Sequence, residues 1–380
     1  MQLALRSIPA NELPDVPVPP ARTAPPVAPT QLKIELPNGS SMRFGWLWQA
    51  RFEALGNPQN DDSSKNFFLR RFAILIGGTV LHDFEYFFDT DFGDLFKAAG
   101  PESTKSGPDI VTKDALVTYR IAGDALKIDA GLMLPPGARN TLVGGGGLLG
   151  LDFFRNAFRH AAVFGTSSNS FGRDLGVQLR GLLAGGLLEY RIGSFQGKRS
   201  APLDGPEPRA AARNSFRFAA RLQLNLLDPE STLFYAATYL GKKAILAIGA
   251  SADYQHEDTD SYLAQAADAA LDLPLGAGGL TAEVDLVRRD GGTLVALPAQ
   301  TAFEAEVGYR FDPLKLSPIV HYERRWTDAG PGGETDFGAG LAFWAYGHTS
   351  NLKAFYERIT LNDSALAYSQ LNLQWQLAFY

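Results

Sequence analysis

The chain has 380 residues, no cysteine, and 41 acidic against 35 basic side chains, for a net charge of −6. Nothing basic is clustered enough to track phosphates, which argues against nucleic acid as a partner, and the absence of cysteine fits an oxidising compartment. No apolar run approaches the length of a transmembrane helix, but a membrane barrel stays open, because its alternating strands average to a hydropathy near zero, as here (−0.09).

Residues 1–41 differ in kind from the rest. Nine of the 23 prolines fall in the first forty positions, including the run VPVPPARTAPPVAP at 16–29, and aromatic residues are missing there. Such a stretch reads as extended polyproline II or disorder. It is expected to be a periplasmic tail or spacer, with docking to a periplasmic, cell-wall or membrane-complex partner as the alternative. Residues 3–5 are too short for the apolar core of a signal peptide, so the numbering is expected to start on a mature or trimmed chain. No linker, charge run or shift of composition divides residues 42–380, which read as one unit.

From position 43 a period of two takes over. Strands are expected at 43–53, 66–78, 82–91, 112–122, 125–134, 174–184, 186–195, 215–227, 244–255, 260–273, 278–288, 301–311, 314–326, 335–346, 349–359 and 367–380, sixteen in all. The phase is clearest where Phe216, Phe218, Ala220, Leu222 and Leu224 alternate with Arg217, Arg221, Gln223 and Asn225. Val284 and Leu286 likewise oppose Glu283 and Asp285, and Val307 and Tyr309 oppose Glu306 and Arg310. Charges at every second position of an apolar strand would need partners in the dry core of a sandwich. Facing a wet lumen they need none. In the last strand Leu371, Leu373, Trp375, Leu377 and Phe379 take one face and Gln370, Asn372, Gln374 and Gln376 the other, with Tyr380 one residue out of phase. All five tryptophans (Trp46, Trp48, Trp326, Trp344, Trp375) lie on expected strands, as aromatic girdles do.

Connections alternate between short Gly- or Pro-marked turns and long links, the longest at 135–173. Residues 228–243 are long on the side of the short turns. They read as a link, because an even strand count returns both ends to the periplasm. The pattern as a whole is that of an all-β, 16-stranded antiparallel transmembrane β-barrel.

The 135–173 link is the third external loop of such a barrel. It carries Pro135, Pro136, four consecutive glycines at 144–147 and an apolar stretch near 149–158, a liability in solvent. Folded inward it would narrow the lumen and bring Arg139, Arg155, Arg159 and His160 to a constriction. By phase, strands 1–8 turn Arg43, Arg51, Arg71, Arg120, Lys127, Arg180, Arg191, Arg217 and Arg221 inward, interleaved with Glu85, Asp89, Asp114, Asp129 and Glu189. Strands 9–12 turn Asp253, Asp268, Asp272, Glu283, Asp285, Glu304 and Glu306 inward. A basic wall opposite an acidic one would orient polar solutes, and clustered arginines would give a weak anion preference. Catalytic patterns are missing: the glycine run lacks a following Lys-Ser/Thr, Ser251 and His256 lack a nucleophile elbow, and the Asp89–Asp94 stretch lacks the later Glu of a Ca²⁺ loop. The five histidines are scattered without ligand spacing. No catalytic residue, cofactor or metal site is expected.

Six segments in order then resemble one family, the phosphate-selective porins O and P. They are RRFAILIGGTVLHDFEYFFDTDF (70–92), KDALVTYRIAGDALKIDAGLMLPPG (113–137), RDLGVQLRGLLAGGLLEYRIGSFQG (173–197), RFAARLQLNLLDPE (217–230), TYLGKKAILAIGASADYQ (238–255) and YGHTSNLKAFYE (346–357). The last has Thr349 and Ser350 inserted before Asn351. The resemblance covers most of residues 66–380 and not the proline-rich tail. It implies a trimeric diffusion porin of the outer membrane, in contact with lipid and lipopolysaccharide. A continuous ladder of arginines, as phosphate-specific members use, is not evident, and the acidic wall departs from it.

Overall fold

A computed structural model describes residues 32–57, 62–99, 104–105, 110–155, 172–198, 215–257, 260–292, 294–295, 297–330, 332–362 and 366–380. The proline-rich residues 1–31 lie outside these, as do Arg159 and His160 of the third loop.

Sixteen strands form the wall: β1 (Ser41–Gly56), β2 (Ser63–Val80), β3 (Phe84–Asp91), β4 (Val111–Arg120), β5 (Lys127–Met133), β6 (Asp174–Leu183), β7 (Leu188–Phe195), β8 (Arg217–Asn225), β9 (Ile245–Glu257), β10 (Asp260–Leu275), β11 (Gly278–Asp290), β12 (Gln300–Phe311), β13 (Leu316–Thr327), β14 (Glu334–Phe343), β15 (Ser350–Leu361) and β16 (Leu366–Phe379). Each pairs antiparallel with its sequence neighbour. β1 also pairs with β16, from Trp46↔Phe379 to Leu55↔Gln370, and this closes the sheet into a barrel without a free edge.

The expected phase holds along the wall. On β8, Phe218, Leu222 and Leu224 are exposed on the outside, while Arg217, Arg221, Gln223 and Asn225 are buried inside. On β16, Leu371, Leu373 and Trp375 face out and Asn372, Gln374 and Gln376 face in. An apolar outer wall around a polar interior suits lipid outside and a hydrated or hydrogen-bonded lumen within. Trp46, Trp326 and Trp375 are outward and exposed, whereas Trp344 turns inward. Its indole N–H donates to Ser317 Oγ at 2.9 Å, so it belongs to the interior and not to a girdle.

Two departures matter for the interior. A β-bulge shifts the β1–β2 register between Gln49 and Ala50, opposite Arg71 and Leu69. The extra residue is Arg70, so Arg70 and Arg71 both reach the lumen, which strict alternation forbids. At the N-terminal side, Leu32–Glu35 pairs antiparallel with Ser41–Phe44. Residues 32–44, partly within the stretch read as tail, thus form a hairpin continuous with β1.

Candidate functional site: a half-filled lumen and its vestibule

The third loop leaves β5 and folds into the barrel, with a 3₁₀ turn at Asn140–Leu142. Its peptide N–H groups are taken up by the carboxylates of the acidic wall. Arg139 N–H donates to Asp268 (3.2 Å), Asn140 N–H to Asp285 (3.1 Å), Gly150 N–H to Glu306 (2.9 Å) and Arg155 N–H to Glu323 (2.9 Å). Charge-assisted bonds of this kind satisfy backbone donors that would otherwise be orphaned inside the barrel. The loop then crosses to the other side. The Gln49 and Gln376 amides donate to the carbonyls of Gly145 (3.2 Å) and Gly146 (3.0 Å), and Lys353 Nζ donates to Leu148 (2.8 Å) and Gly150 (2.5 Å). At Gly150 a Cβ would lie 2.2 Å from Glu306 Oε1, so a side chain there would push the carboxylate off the Gly150 N–H.

A second segment enters from the opposite end. Residues 228–243 form no wall strand, in agreement with their reading as a link, but they fold inward and dock on the loop. Gly144 N–H donates to Tyr235 O (2.9 Å), Tyr235 N–H to Leu142 O (3.0 Å) and Ala237 N–H to Gly147 O (3.0 Å). Tyr235 is buried. The guanidinium carbons of Arg139 and Arg191 each stand 4.6 Å from its ring centroid, and that of Arg221 stands 5.6 Å away. Its hydroxyl donates to Glu189 at 2.7 Å. Burial pushes this phenol up to about 12. Glu230 accepts both guanidinium branches of Arg139, at 2.6 and 2.8 Å, and the Tyr239 hydroxyl at 2.5 Å. Burial alone would raise the Glu230 carboxyl, but Arg139 holds it below the usual carboxylate range.

Five of the arginines expected to gather as an anion site are bonded one by one to carboxylates. Besides Arg139–Glu230, Arg180 pairs with Asp129 (2.7 Å), Arg191 with Glu189 (2.7 Å), Arg217 with Asp253 (2.5 Å) and Arg221 with Asp268 (2.5 Å). Arg155 is half-buried, with its guanidinium on the Tyr368 hydroxyl (3.0 Å) and 3.5 Å from Glu334. Asp253 and Asp268 are thus knitted to β8 and do not face it across open space. Glu283, Asp285 and Glu304 are buried on the inner face of β11 and β12.

Open space remains on the other side, as a cavity of about 1210 Å³. Arg51, Arg70, Asp152 and Arg155 line one part of it, and Glu306, His321, Glu323, Asp336 and Glu357 line another. Asp152, in the third loop, receives Arg51 (3.0 Å), Arg70 (2.7 Å) and Arg71 (2.5 Å). Burial would raise its carboxyl, yet the three guanidiniums hold it well below the ordinary value. Sequence reasoning missed Arg70, which the bulge turns inward, as well as Asp152 and Tyr235. The signal for Tyr235 was present in the apolar run Leu233, Phe234, Tyr235 inside a link.

No family model matches the chain, and no curated protein matches it. Solved structures do. The chain is similar to OprB of Pseudomonas putida (TM-score 0.61, 10% identity, 89% of this chain and 94% of that one). It is also similar to an anion-selective porin from Comamonas acidovorans (0.59, 9%, 90% and 100%) and to OmpF of Salmonella typhi (0.55, 13%, 91% and 100%). At these identities the likeness is one of fold. The fold is that of the outer-membrane porins: a closed sixteen-stranded barrel with an inward third loop. Its edge-free, apolar outer wall places it in the bacterial outer membrane.

Proposed function

We propose that this protein is a passive outer-membrane channel for small polar solutes, with a weak anion preference and no chemical step. The observation that carries the reading is the cavity of about 1210 Å³ beside the third loop, with arginines on one side and carboxylates on the other. Arg51, Arg70 and Arg71 converge on the single carboxylate of Asp152, and Asp94, 3.4 Å from Arg70, offsets only part of their charge. The weak anion preference is proposed for the passage beside these three arginines, where the surplus is one positive charge, and Glu306, Glu323, Asp336 and Glu357 across the cavity oppose it. A field between unlike walls orients dipolar solutes without strongly selecting ions. In this reading Arg139, Arg180, Arg191, Arg217 and Arg221 are struts whose charge is matched locally. Phosphate selectivity and kinship with the phosphate-selective porins O and P rest on the sequence segments alone. A homotrimer embedded in lipid and lipopolysaccharide is part of the proposal.

The test is conductance of the purified protein in planar bilayers, with the reversal potential measured in a tenfold KCl gradient. Discrete steps with a small excess of Cl⁻ over K⁺ permeability are expected. Cation preference would refute the charge argument. The absence of steps would favour a second reading, which the two segments hydrogen-bonded inside the lumen support: a plugged barrel that anchors the proline-rich residues 1–31 to a periplasmic or cell-wall partner.

A further inference from the structure

The β12–β15 side of the cavity holds a histidine–carboxylate cluster, of which only Glu306 and Glu323 also accept N–H groups of the third loop. His321 on β13 stands opposite Glu306 on β12 and Gly338 on β14, and Gly338 stands opposite Glu357 on β15. One step along, Glu323 on β13 faces Asp336 on β14. Gly338 has no side chain, and the imidazole fills the vacated space: a Cβ there would lie 2.8 Å from His321 Nε2. The ring therefore lies across β14 and presents Nε2 to carboxylates from two strands. Nε2 is 3.7 Å from Asp336 Oδ1 and 3.7 Å from Glu357 Oε1.

These atoms are nearly buried at the edge of the cavity and lie too far apart for hydrogen bonds. His321 is 8% exposed and Asp336 3%. Among the described residues neither His321 Nε2 nor Asp336 Oδ1 has a hydrogen-bond partner. Buried polar atoms nearly always have partners, and a vacancy calls for an explanation such as an ion. A separation of 3.7 Å is too long for a hydrogen bond. It suits two ligands of one cation, since donors about 2.1 Å from a Zn²⁺ ion at angles of roughly 110–120° lie about 3.4–3.7 Å apart. His321, Glu323 and Asp336 each offer one ligand atom, all within 4.8 Å of one another. The adjoining Arg155 is engaged elsewhere: its N–H holds Glu323 Oε1 and its guanidinium lies on Tyr368.

We propose that His321, Asp336 and Glu357, with Glu323 beside them, form a binding site for a divalent first-row transition cation of the Zn²⁺ class in the wall of the vestibule. One imidazole nitrogen with several carboxylate oxygens is a borderline set that suits Zn²⁺ or Co²⁺, whereas Ca²⁺ asks for six to eight oxygens. All four side chains line the cavity, which supplies a route of access from solvent.

The test uses the full chain, folded in detergent and stripped with a chelator, then titrated with ZnCl₂ by calorimetry. Co²⁺ absorption provides a second readout of imidazole ligation. One Zn²⁺ per chain is expected, at least tenfold tighter than Ca²⁺. His321→Ala and Asp336→Asn should each weaken binding by tenfold or more and shift or abolish the Co²⁺ bands, while His256→Ala should change neither. No saturable Zn²⁺ binding, or binding unchanged in Asp336→Asn, would overturn the proposal and leave a histidine–carboxylate ion-pair cluster. The readout does not involve conductance, so its failure leaves the channel reading untouched.

Discussion

Replacing Asp152 by Asn tests whether the arginines of the vestibule set its ion preference. Asp152 lies in the third loop and accepts Arg51, Arg70 and Arg71 at 3.0, 2.7 and 2.5 Å. Asn keeps one acceptor oxygen but removes the charge. The loss of charge assistance should cost about 2–3 kcal/mol of stability. In the passage, the change adds one net positive unit. For a solute ion about 7 Å away, at an effective dielectric of roughly 40–80, one unit is worth about 0.6–1.2 kcal/mol. Screening at 0.1 M salt, with a Debye length of about 10 Å, halves that. The shift lowers the energy of Cl⁻ and raises that of K⁺, so their permeability ratio should rise about three- to eightfold at 0.1 M salt, and the rise should nearly vanish near 1 M. Asp152→Glu, which keeps the charge, separates this effect from loop disorder and should leave the ratio near its original value. Equal reversal potentials for Asp152→Asn and the parent at 0.1 M, alongside a measurable loss of stability, would refute the reasoning and make Asp152 a structural anchor only.

The remaining expectations concern the plug, the wall and acid. Glu230→Gln strands Arg139 in a buried position without its counter-charge and should lower stability by about 3–5 kcal/mol, read as a reduced urea midpoint. Leu222→Arg, on the lipid face, should cost about 2–4 kcal/mol at mid-membrane, while Gln223→Arg, facing inward, should be milder; equal damage would mean the strand phase is wrong. His348 ends a short strand, Ala345–His348, in the connection between β14 and β15, with Nε2 2.8 Å from the Thr238 carbonyl, and burial pushes it down to about 4. The unfolded chain takes up this proton first, so stability should be intact above about pH 6.5 and decline as pH falls toward 4, by at most about 3 kcal/mol. A His348→Gln variant whose urea midpoint falls just as steeply over that range would show that another group is responsible.

The wall was legible because each strand separates two environments, and that separation is written in alternate residues. The third loop was legible for a related reason: a long, apolar, glycine-rich link has no place in solvent. The same logic applied to residues 228–243 would have turned them inward, since Leu233, Phe234 and Tyr235 sit in a connection too apolar to be a simple turn. Arg70 was illegible in principle. A one-residue bulge inverts the phase, and nothing in RRFAIL states which arginine is the extra one. The pairing of each arginine was also out of reach, because alternation tells which face a side chain takes and says nothing of the register against the next strand. Inward arginines therefore looked like a free cluster, when Arg139, Arg180, Arg191, Arg217 and Arg221 each already had a carboxylate within reach.

The way those pairs are made explains why charge could be packed so densely inside the barrel. Arg221 on β8 and Asp268 on β10 are separated by β9, yet they meet at 2.5 Å. The residue between them on the intervening strand is Gly249, where a Cβ would lie 2.3 Å from Arg221 Nη2 and 2.5 Å from Asp268 Oδ1. Gly338 does the same for His321 on β13 and Glu357 on β15, which approach to 3.7 Å across β14. An inward glycine removes one side chain from the lumen and lets strands two apart share an ionic contact over it. At Gly249 the result is a tight, charge-matched bond that fixes the filled half of the lumen, together with the third loop and the 228–243 segment. At Gly338 the separation is wider and the acceptor side carries more than one carboxylate, so the contact leaves an interior negative site beside open space. The same local device thus fills the lumen on one side and leaves an open, carboxylate-rich surface on the other, and the difference lies in whether an arginine or a histidine was placed opposite the gap.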